Sequence, residues 1–251
     1  MMAMPKEGAV HRFLVETGML SQEAPRLPAD ASRHLRAIRP EPGERVELFD
    51  GRGRWRAYAW DGGLRAAGEV QEAPRPPSGI VLFACVTKGS RWDWTVAKAT
   101  ELGVSRIVPV ISARTIVRIP RGERAAKRER WMRIAEDAAR QSDAKWLPEM
   151  DEAVDFGDSL PLVRGTTCFV GALTDPPPRP LLAALAERGP SPGRPVAVYV
   201  GPEGDFSPEE LAALLECATP ASFGPTVLRA ETAAIFAVSV AAAVCGRGIM
   251  V

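Results

Sequence analysis

The sequence predicts an α/β protein in two parts: a small β-barrel-like domain, then a larger domain built on a mostly parallel sheet. Within residues 1–73, short strand-like runs alternate with turn signals. A proline-rich linker follows at residues 74–79. Over residues 80–251, continuous apolar runs alternate with helical patterns, which is typical of parallel strands covered on both faces.

The elements of the first domain are short. We predict strands over residues 11–15, 44–49, 54–60 and 64–70, and one helix over 30–38. Either Asp30 or Ser32 is the candidate N-cap of that helix, because both side chains can accept a backbone N–H.

The second domain has longer elements. Buried strands are predicted over residues 80–87, 106–111, 167–172, 196–200 and 221–223. Helices are predicted over residues 91–102, 123–141, 180–187, 208–216 and 231–245.

Composition excludes several classes of protein. Hydrophobic residues make up 46% of the 251 positions, which is enough for a packed core. The longest apolar run, residues 233–245, is too short to cross a bilayer, and residues 1–8 lack the apolar stretch of a secretory signal. We therefore expect a soluble, cytoplasmic protein.

Cysteine and histidine usage argues against metal or hydrolase chemistry. The four cysteines lie far apart in apolar stretches, so we expect small buried side chains rather than a zinc site, and no metal. The only histidines, His11 and His34, precede the α/β part, which argues against a Ser-His-Asp hydrolase there.

Charge is distributed unevenly along the chain. Residues 85–147 carry 14 basic and 7 acidic side chains, a net +7, whereas residues 148–251 carry 6 and 13, a net −7. Such asymmetry favours a surface that binds a polyanion. A solvated basic helix is the alternative.

Three loops lie where open α/β sheets bind ligands, at the carboxyl ends of predicted strands. They cover residues 171–174, 201–205 and 223–229. Gly201 and Gly204 permit either a close approach of the backbone to a ligand or a positive φ. A plain turn explains the Gly-Pro-Glu-Gly segment equally well.

The second loop leads into Ser207-Pro208-Glu209-Glu210, which fits a capping box with Ser207 as N-cap. Acidic side chains crowd this helix start without a neighbouring lysine or arginine, so a phosphate would be repelled. A cationic ligand such as a sulfonium fits better. The glycine fingerprints of dinucleotide and NTP sites are absent, which disfavours a Rossmann-type nucleotide enzyme.

Several ordered motifs carry a family resemblance that covers nearly the whole chain. They are Lys88-Gly89-Ser90-Arg91, 99–104, Ser112-Ala113-Arg114, 130–136, 141–142, 200–204 and 224–233, with His34-Leu35-Arg36 and 48–51 in the first domain. In these motifs the chain resembles the bacterial 16S rRNA uridine-N3 methyltransferases of the RsmE type, members of the SPOUT superfamily. It departs from their pattern at Asp205, where a second glycine is usual, and at Asp143-Ala144, where basic residues are usual.

The resemblance implies a PUA-like β-barrel over residues 1–73 and a SPOUT domain with a deep trefoil knot over residues 80–251. It also implies a homodimer that acts on 16S rRNA of the small ribosomal subunit. The alanines Ala233, Ala237 and Ala241 would allow close approach between the last helices of two subunits, although core packing explains them equally well.

The implied cofactor is S-adenosyl-L-methionine, and the implied reaction is methylation of N3 of a specific uridine. The cofactor would contact the three loops and the start of the last helix. The candidate residues are Ala172, Leu173, Val200, Gly201, Pro202, Glu203, Gly204, Phe223, Gly224, Val227, Leu228, Arg229, Glu231 and Thr232.

Three of these residues are candidates for catalysis. Arg229 would stabilise negative charge on O2 and O4 of uracil as N3–H is lost. Either Glu203 or Glu231 would accept the proton. Each glutamate could instead cap backbone N–H groups and stabilise its loop.

Basic side chains are the candidates for RNA binding. They are Arg12 and Arg36 in the first domain and Lys88, Arg91, Arg114, Arg133 and Arg140 in the second. Nearby tryptophans are expected to be mostly core residues rather than base-stacking platforms; they are Trp92, Trp94, Trp131 and Trp146. Two other functions stay open: a SPOUT methyltransferase acting on tRNA, and a non-catalytic RNA-binding assembly factor.

Overall fold

The computed structural model describes residues 10–75, 79–174, 176–191 and 193–246. These residues form two compact units. The first contains residues 10–75 and 139–147, and the second contains residues 79–138 and 148–246. Two parts of the sequence predictions lie outside the described residues. They are residues 76–78 of the linker and residues 1–8, in which no secretory signal is predicted.

The first unit is a five-stranded sheet with one α-helix. Its strands are β1 (His11–Leu14), β2 (Arg45–Phe49), β3 (Arg54–Trp60), β4 (Leu64–Ala66) and β5 (Gln71–Glu72), and its helix is α1 (Ala29–Ile38). The order is β1-β2-β3-β4, with β5 also paired to β3. The strand predicted over residues 64–70 is wrong beyond Ala66, because the chain leaves the β3 ladder near Gly68 and pairs again only at β5.

The predicted N-cap of α1 is also wrong. The helix begins at Ala29 after Pro28, and no side chain caps it. Ser32 lies inside the first turn, where its hydroxyl donates to the carbonyl of Leu27 (2.9 Å) and its N–H donates to Pro28 O (2.8 Å). Its side chain is therefore a donor, whereas a cap must accept.

Residues 139–147 pack within the first unit, although the sequence analysis assigned them to the second domain. The N–H of Gly53 donates to Lys145 O (2.9 Å), and the N–H of Leu147 donates to Gly51 O (2.9 Å). Lys145 forms an ion pair with the buried carboxylate of Glu47. Trp146 packs against Gly53. These contacts are long-range in sequence, so helix periodicity alone could not reveal them.

The second unit is built on a parallel sheet, as predicted, but the sheet has seven strands rather than the five expected. Its strands are β6 (Ile80–Cys85), β7 (Arg106–Ile111), β8 (Glu149–Met150), β9 (Val154–Asp155), β10 (Thr167–Gly171), β11 (Val196–Val200) and β12 (Thr219–Ala221). The order is β12-β10-β11-β6-β7-β8, with β9 also on β7. The last strand lies two residues earlier than predicted because its register with β10 ends at Ala221.

Helices cover both faces of this sheet. They are α2 (Ser90–Glu101), α3 (Arg124–Ser142), α4 (Phe156–Ser159), α5 (Leu181–Arg188), α6 (Pro208–Leu215) and α7 (Ala230–Val244), the last residues of α3 belonging to the first unit. Alternate residues of β6 point to opposite cores: Leu82 packs with α2, α5 and α7, whereas Phe83 packs with α6. Strand periodicity thus divides the apolar residues between two layers.

Buried aromatic and small residues fill the core on the α7 side. Trp92 and Trp131 are buried and meet edge to face at 5.5 Å, which confirms their core role, whereas Trp94 is 45% exposed. Ala237 and Ala241 are fully buried within the unit, so core packing accounts for them.

Three of the four cysteines are buried, as expected. Burial raises the pKa of the Cys85 thiol to about 11. Cys217 is exposed because it follows the end of α6, so the expectation of burial is wrong there. Among the described residues, none of the helices has the length and apolarity to span a membrane, and no cluster of three metal-ligating side chains is found.

A pair of glycine substitutions separates backbone strain from packing in the first unit. Gly62 has φ of +70° and open space around its Cα, so Gly62→Ala should cost only the left-handed strain, about 1 kcal/mol. Gly53 has φ of +94°, and a Cβ there would lie 2.5 Å from Cε2 of Trp146. Gly53→Ala should therefore cost about 3 kcal/mol in urea unfolding. An equal decrease in the free energy of unfolding for the two variants would show that close packing against Trp146 adds nothing to the cost.

Candidate functional site

A cleft of about 660 Å³, its open mouth included, lies at the carboxyl edge of the parallel sheet. The loops that follow β10, β11 and β12 form its walls. They are neighbours because β10 pairs in parallel with both β11 and β12. This is the edge at which open α/β sheets bind ligands.

Ten of the fourteen residues expected to bind a cofactor line this cleft. They are Ala172, Leu173, Val200, Gly201, Pro202, Glu203, Phe223, Gly224, Val227 and Leu228. Gly204, Arg229, Glu231 and Thr232 are not among the lining residues. The structure adds Gly171, Asp205, Ser222, Thr226, Ala230 and Ala233.

Two glycines allow close packing in the cleft wall. A Cβ on Gly171 would lie 2.5 Å from the Phe223 ring, and a Cβ on Gly201 would lie 3.2 Å from both the Asp205 carboxylate and the Phe206 ring. The predicted close approach at Gly201 is thus to protein atoms. Neither Gly201 nor Gly204 has a positive φ.

The positive φ of this loop belongs to Asp205, at 61°. Its N–H donates to Pro202 O (2.9 Å) and closes a tight turn, and its Oδ1 accepts the N–H of Phe206 (2.8 Å). Aspartate tolerates the left-handed region better than most residues because its short side chain can bond locally. The turn therefore forms without a second glycine.

The capping box predicted at the start of α6 is confirmed. The N–H of Glu210 donates to Ser207 Oγ (3.2 Å), and Glu210 Oε2 accepts the N–H of Ser207 (3.0 Å). Glu210 Oε1 also accepts the N–H of Ala113 (2.8 Å). The helix start is thereby fixed to the loop that follows β7.

Arginines distant in sequence surround the second loop. Arg114 donates to the carbonyls of Gly204 (2.9 Å) and Phe206 (3.3 Å). Arg91 donates to Glu203 Oε1 (3.2 Å). The expectation that no basic residue lies near this loop is therefore wrong. It considered only neighbours in the sequence, whereas the fold brings two distant arginines into contact with the loop. The lining formed by the described residues still contains two acids, Glu203 and Asp205, and no lysine or arginine.

Comparison with known proteins identifies the family. The model of the RNA methyltransferase domain matches residues 74–242. A Ribosomal RNA small subunit methyltransferase E from Mycobacterium bovis is 30% identical over 236 residues, which cover 87% of this chain and 86% of the relative. The chain belongs to the RsmE-type family of RNA methyltransferases.

Two further related proteins match different shares of their own length. The Synechocystis protein of the same name is 30% identical over 203 residues, covering 79% of this chain but 65% of the relative. The chain thus spans less than two thirds of that relative. A crystal structure of Ribosomal RNA small subunit methyltransferase E from Neisseria gonorrhoeae bound to S-adenosyl methionine has a TM-score of 0.78 at 26% identity, covering 92% of this chain and 96% of that one.

The candidate catalytic residues of this family member lie at the start of α7 and in the second loop. Arg229 directly precedes α7 and is exposed, and its guanidinium has no partner among the described residues. The Glu231 side chain is 13% exposed, and its Oε2 is buried without a hydrogen bond in the described part of the chain. Arg91 Nε lies 4.0 Å from Glu231 Oε1, so one arginine neighbours both candidate bases.

The candidate RNA-binding residues differ in their availability. Lys88 and Arg133 are exposed, and the described residues offer neither of them a partner. Arg91 and Arg114 are engaged with the cleft loops, as given above. In the first unit, Arg12 forms an ion pair with Asp143 (2.7 Å), Arg36 donates to Ser32 O (3.2 Å), and Arg140 is partly buried.

Proposed function

We propose that the protein transfers a methyl group from S-adenosyl-L-methionine to N3 of a specific uridine in 16S rRNA of the small ribosomal subunit. One observation carries the proposal: three loops of an RsmE-type chain enclose one cleft whose lining contains two carboxylates and no basic residue. Such a lining favours a cation and disfavours phosphate. The Neisseria relative was crystallised with that methyl donor.

The cleft suits a ligand of this kind in the chemistry of its lining. It is an open cleft rather than an enclosed cavity, and apolar side chains such as Leu173 and Phe223 line it together with loop backbone. Leu173 and Val227 are 66% and 77% exposed, so a bound molecule would cover apolar surface here. When bound, the donor supplies an electrophilic methyl group on a positively charged sulfur.

Arg229 is our candidate for stabilising the uracil. Uracil N3 is a poor nucleophile while protonated, and loss of that proton spreads negative charge over O2 and O4. The guanidinium has no partner among the described residues and is free to interact with those oxygens, and donors held against developing negative charge give large rate effects. Orientation of the base contributes further, by roughly 7–11 kcal/mol in favourable cases.

Glu203 is the stronger candidate for the proton acceptor, because its side chain lines the cleft. Glu231 does not, and its Oε2, in the first turn of α7, is buried without a hydrogen bond among the described residues. In this proposal Glu231 positions Arg91, which in turn orients Glu203. A carboxylate in contact with the uracil N3–H could then accept the proton.

RNA binding is proposed for the basic residues that are not engaged with the cleft loops. Lys88 and Arg133 in the second unit are the strongest candidates, because their charges are available to phosphates. Arg12, Arg36 and Arg140 would extend the contact from the first unit. A target uridine held in paired RNA would have to leave its stack before methyl transfer.

The finer architecture is also part of the proposal. The sheet β1–β5 supports a PUA-like barrel over residues 1–73, and the second domain over residues 80–251 would contain the trefoil knot. The connection from β11 to β12, which passes β10 in the strand order, belongs to the part of the chain in which the knot is proposed. We propose a homodimer without metal that works in the cytoplasm, where its substrate would be found.

The direct test is methylation of purified small ribosomal subunits from cells that lack uridine-N3 methylation. With S-adenosylmethionine, the protein should produce N3-methyluridine in 16S rRNA, measured by mass spectrometry of nucleosides, and none in bulk tRNA. Methylated tRNA would instead favour the tRNA enzyme. No product despite RNA binding would favour the non-catalytic assembly factor.

Replacing the candidate arginine should separate chemistry from folding. Arg229→Ala should lower kcat at least about 100-fold, because it removes the proposed donor to the developing charge. Its melting temperature should match wild type, since the guanidinium has no partner among the described residues. Arg188→Ala, at the exposed end of α5, is the matched control and should keep normal turnover. Near-normal kcat in Arg229→Ala would defeat the assignment.

A further inference from the structure

The two acids in the cleft lining differ in their charge environment. Glu203 forms an ion pair with Arg91 at 3.2 Å, so its charge is partly neutralised. Asp205 forms no ion pair with any described residue. Asp205 is therefore the acid of the described lining without an ion-pair partner, although Arg114 donates to the carbonyls of Gly204 and Phe206 on either side of it.

The carboxylate of Asp205 is fixed in position. Its Oδ1 accepts the N–H of Phe206 at 2.8 Å, and the same oxygen lies 3.2 Å from the point where a Cβ on Gly201 would be. Its Oδ2 makes no hydrogen bond within the described chain. One oxygen thus anchors the group against the glycine of the cleft wall, and the other is free to interact with a ligand.

The backbone does not require an acid at this position. With φ at 61°, residue 205 is in the left-handed region, which glycine adopts with less strain. The turn is closed by the backbone bond from Asp205 N to Pro202 O, which any residue but proline could form. The carboxylate is therefore an addition that the turn itself does not need.

We propose that Asp205 lets the cleft distinguish the methyl donor, whose sulfur is positively charged, from its product, whose sulfur is neutral. This inference rests on the proposed function. S-adenosylmethionine carries a sulfonium charge, whereas S-adenosylhomocysteine has a neutral thioether, because the electron pair of the broken S–CH₃ bond stays on sulfur. A fixed anion stabilises only the charged form, so it favours binding of the donor over the product.

Calorimetric titration of both ligands into Asp205→Asn tests this. Asparagine is isosteric, tolerates the left-handed region, and keeps an oxygen that can accept the N–H of Phe206. We expect the Kd of S-adenosylmethionine to rise about tenfold and that of S-adenosylhomocysteine to change less than about twofold. The binding preference for the donor should fall accordingly.

Two further variants control for total charge and for folding. Glu209→Gln removes an acid from the same helix start but outside the cleft lining, and it should leave the ratio of the two Kd values unchanged. Asp205→Gly keeps the turn without the carboxylate. It should lose donor preference as Asp205→Asn does, with a melting temperature no lower than wild type.

The outcomes separate this inference from the proposed function. If wild-type protein binds neither ligand, the proposed function fails and this inference with it. If wild-type protein binds the donor, and Asp205→Asn weakens both ligands equally or weakens neither, the proposed function stands and the role of Asp205 is overturned. If Glu209→Gln changed the ratio of the two Kd values as much as Asp205→Asn does, the role of Asp205 would also be overturned, because net charge would then be the cause.

Discussion

The parallel pairing of β10 with both β11 and β12 is the constraint on which the site depends. Val170 is in register with Tyr199 on one side, and Gly171 is in register with Ala221 on the other. Because all three strands run the same way, their carboxyl ends meet at one edge, and three loops far apart in sequence become the walls of one cleft. The lack of a side chain at Gly171 then allows the Phe223 ring to pack against that wall.

Two arginines that contact the second loop lie far from it in the sequence. For that reason the sequence predicted most of the residues that line the cleft but not the charges around it. Glycine and proline patterns located most of the lining, since they mark loops after strands. The contacts of Arg91 with Glu203 and of Arg114 with Gly204 join residues about 90 or more positions apart, so no local pattern reveals them. From the sequence, both arginines were predicted to bind RNA. Asp205 was noted as a departure from the family, but its position in the cleft wall needed the structure.

The fold likewise contains elements that local sequence patterns predict and contacts between distant residues that they do not. Strands β7 and β11 begin and end where predicted, because serines flank the first and Pro195 and Gly201 flank the second, so the limits of each apolar run are clear in the sequence. Strands β8 and β9 were missed, since two residues are too few to show a period. Helix α3 was found, yet its last residues belong to the first unit, where Lys145 pairs with Glu47. Buried charge pairing of this kind has no sequence signature.

Hydrogen exchange with and without S-adenosylmethionine tests the central claim most directly. If the three loops form one site for the methyl donor, the ligand should slow amide exchange together in residues 171–174, 201–205 and 223–229. The first unit should be unaffected at β3, which is remote in the chain and lies in the other unit. Protection that is confined to one loop, or that is absent from the loop after β12, would contradict a shared cleft.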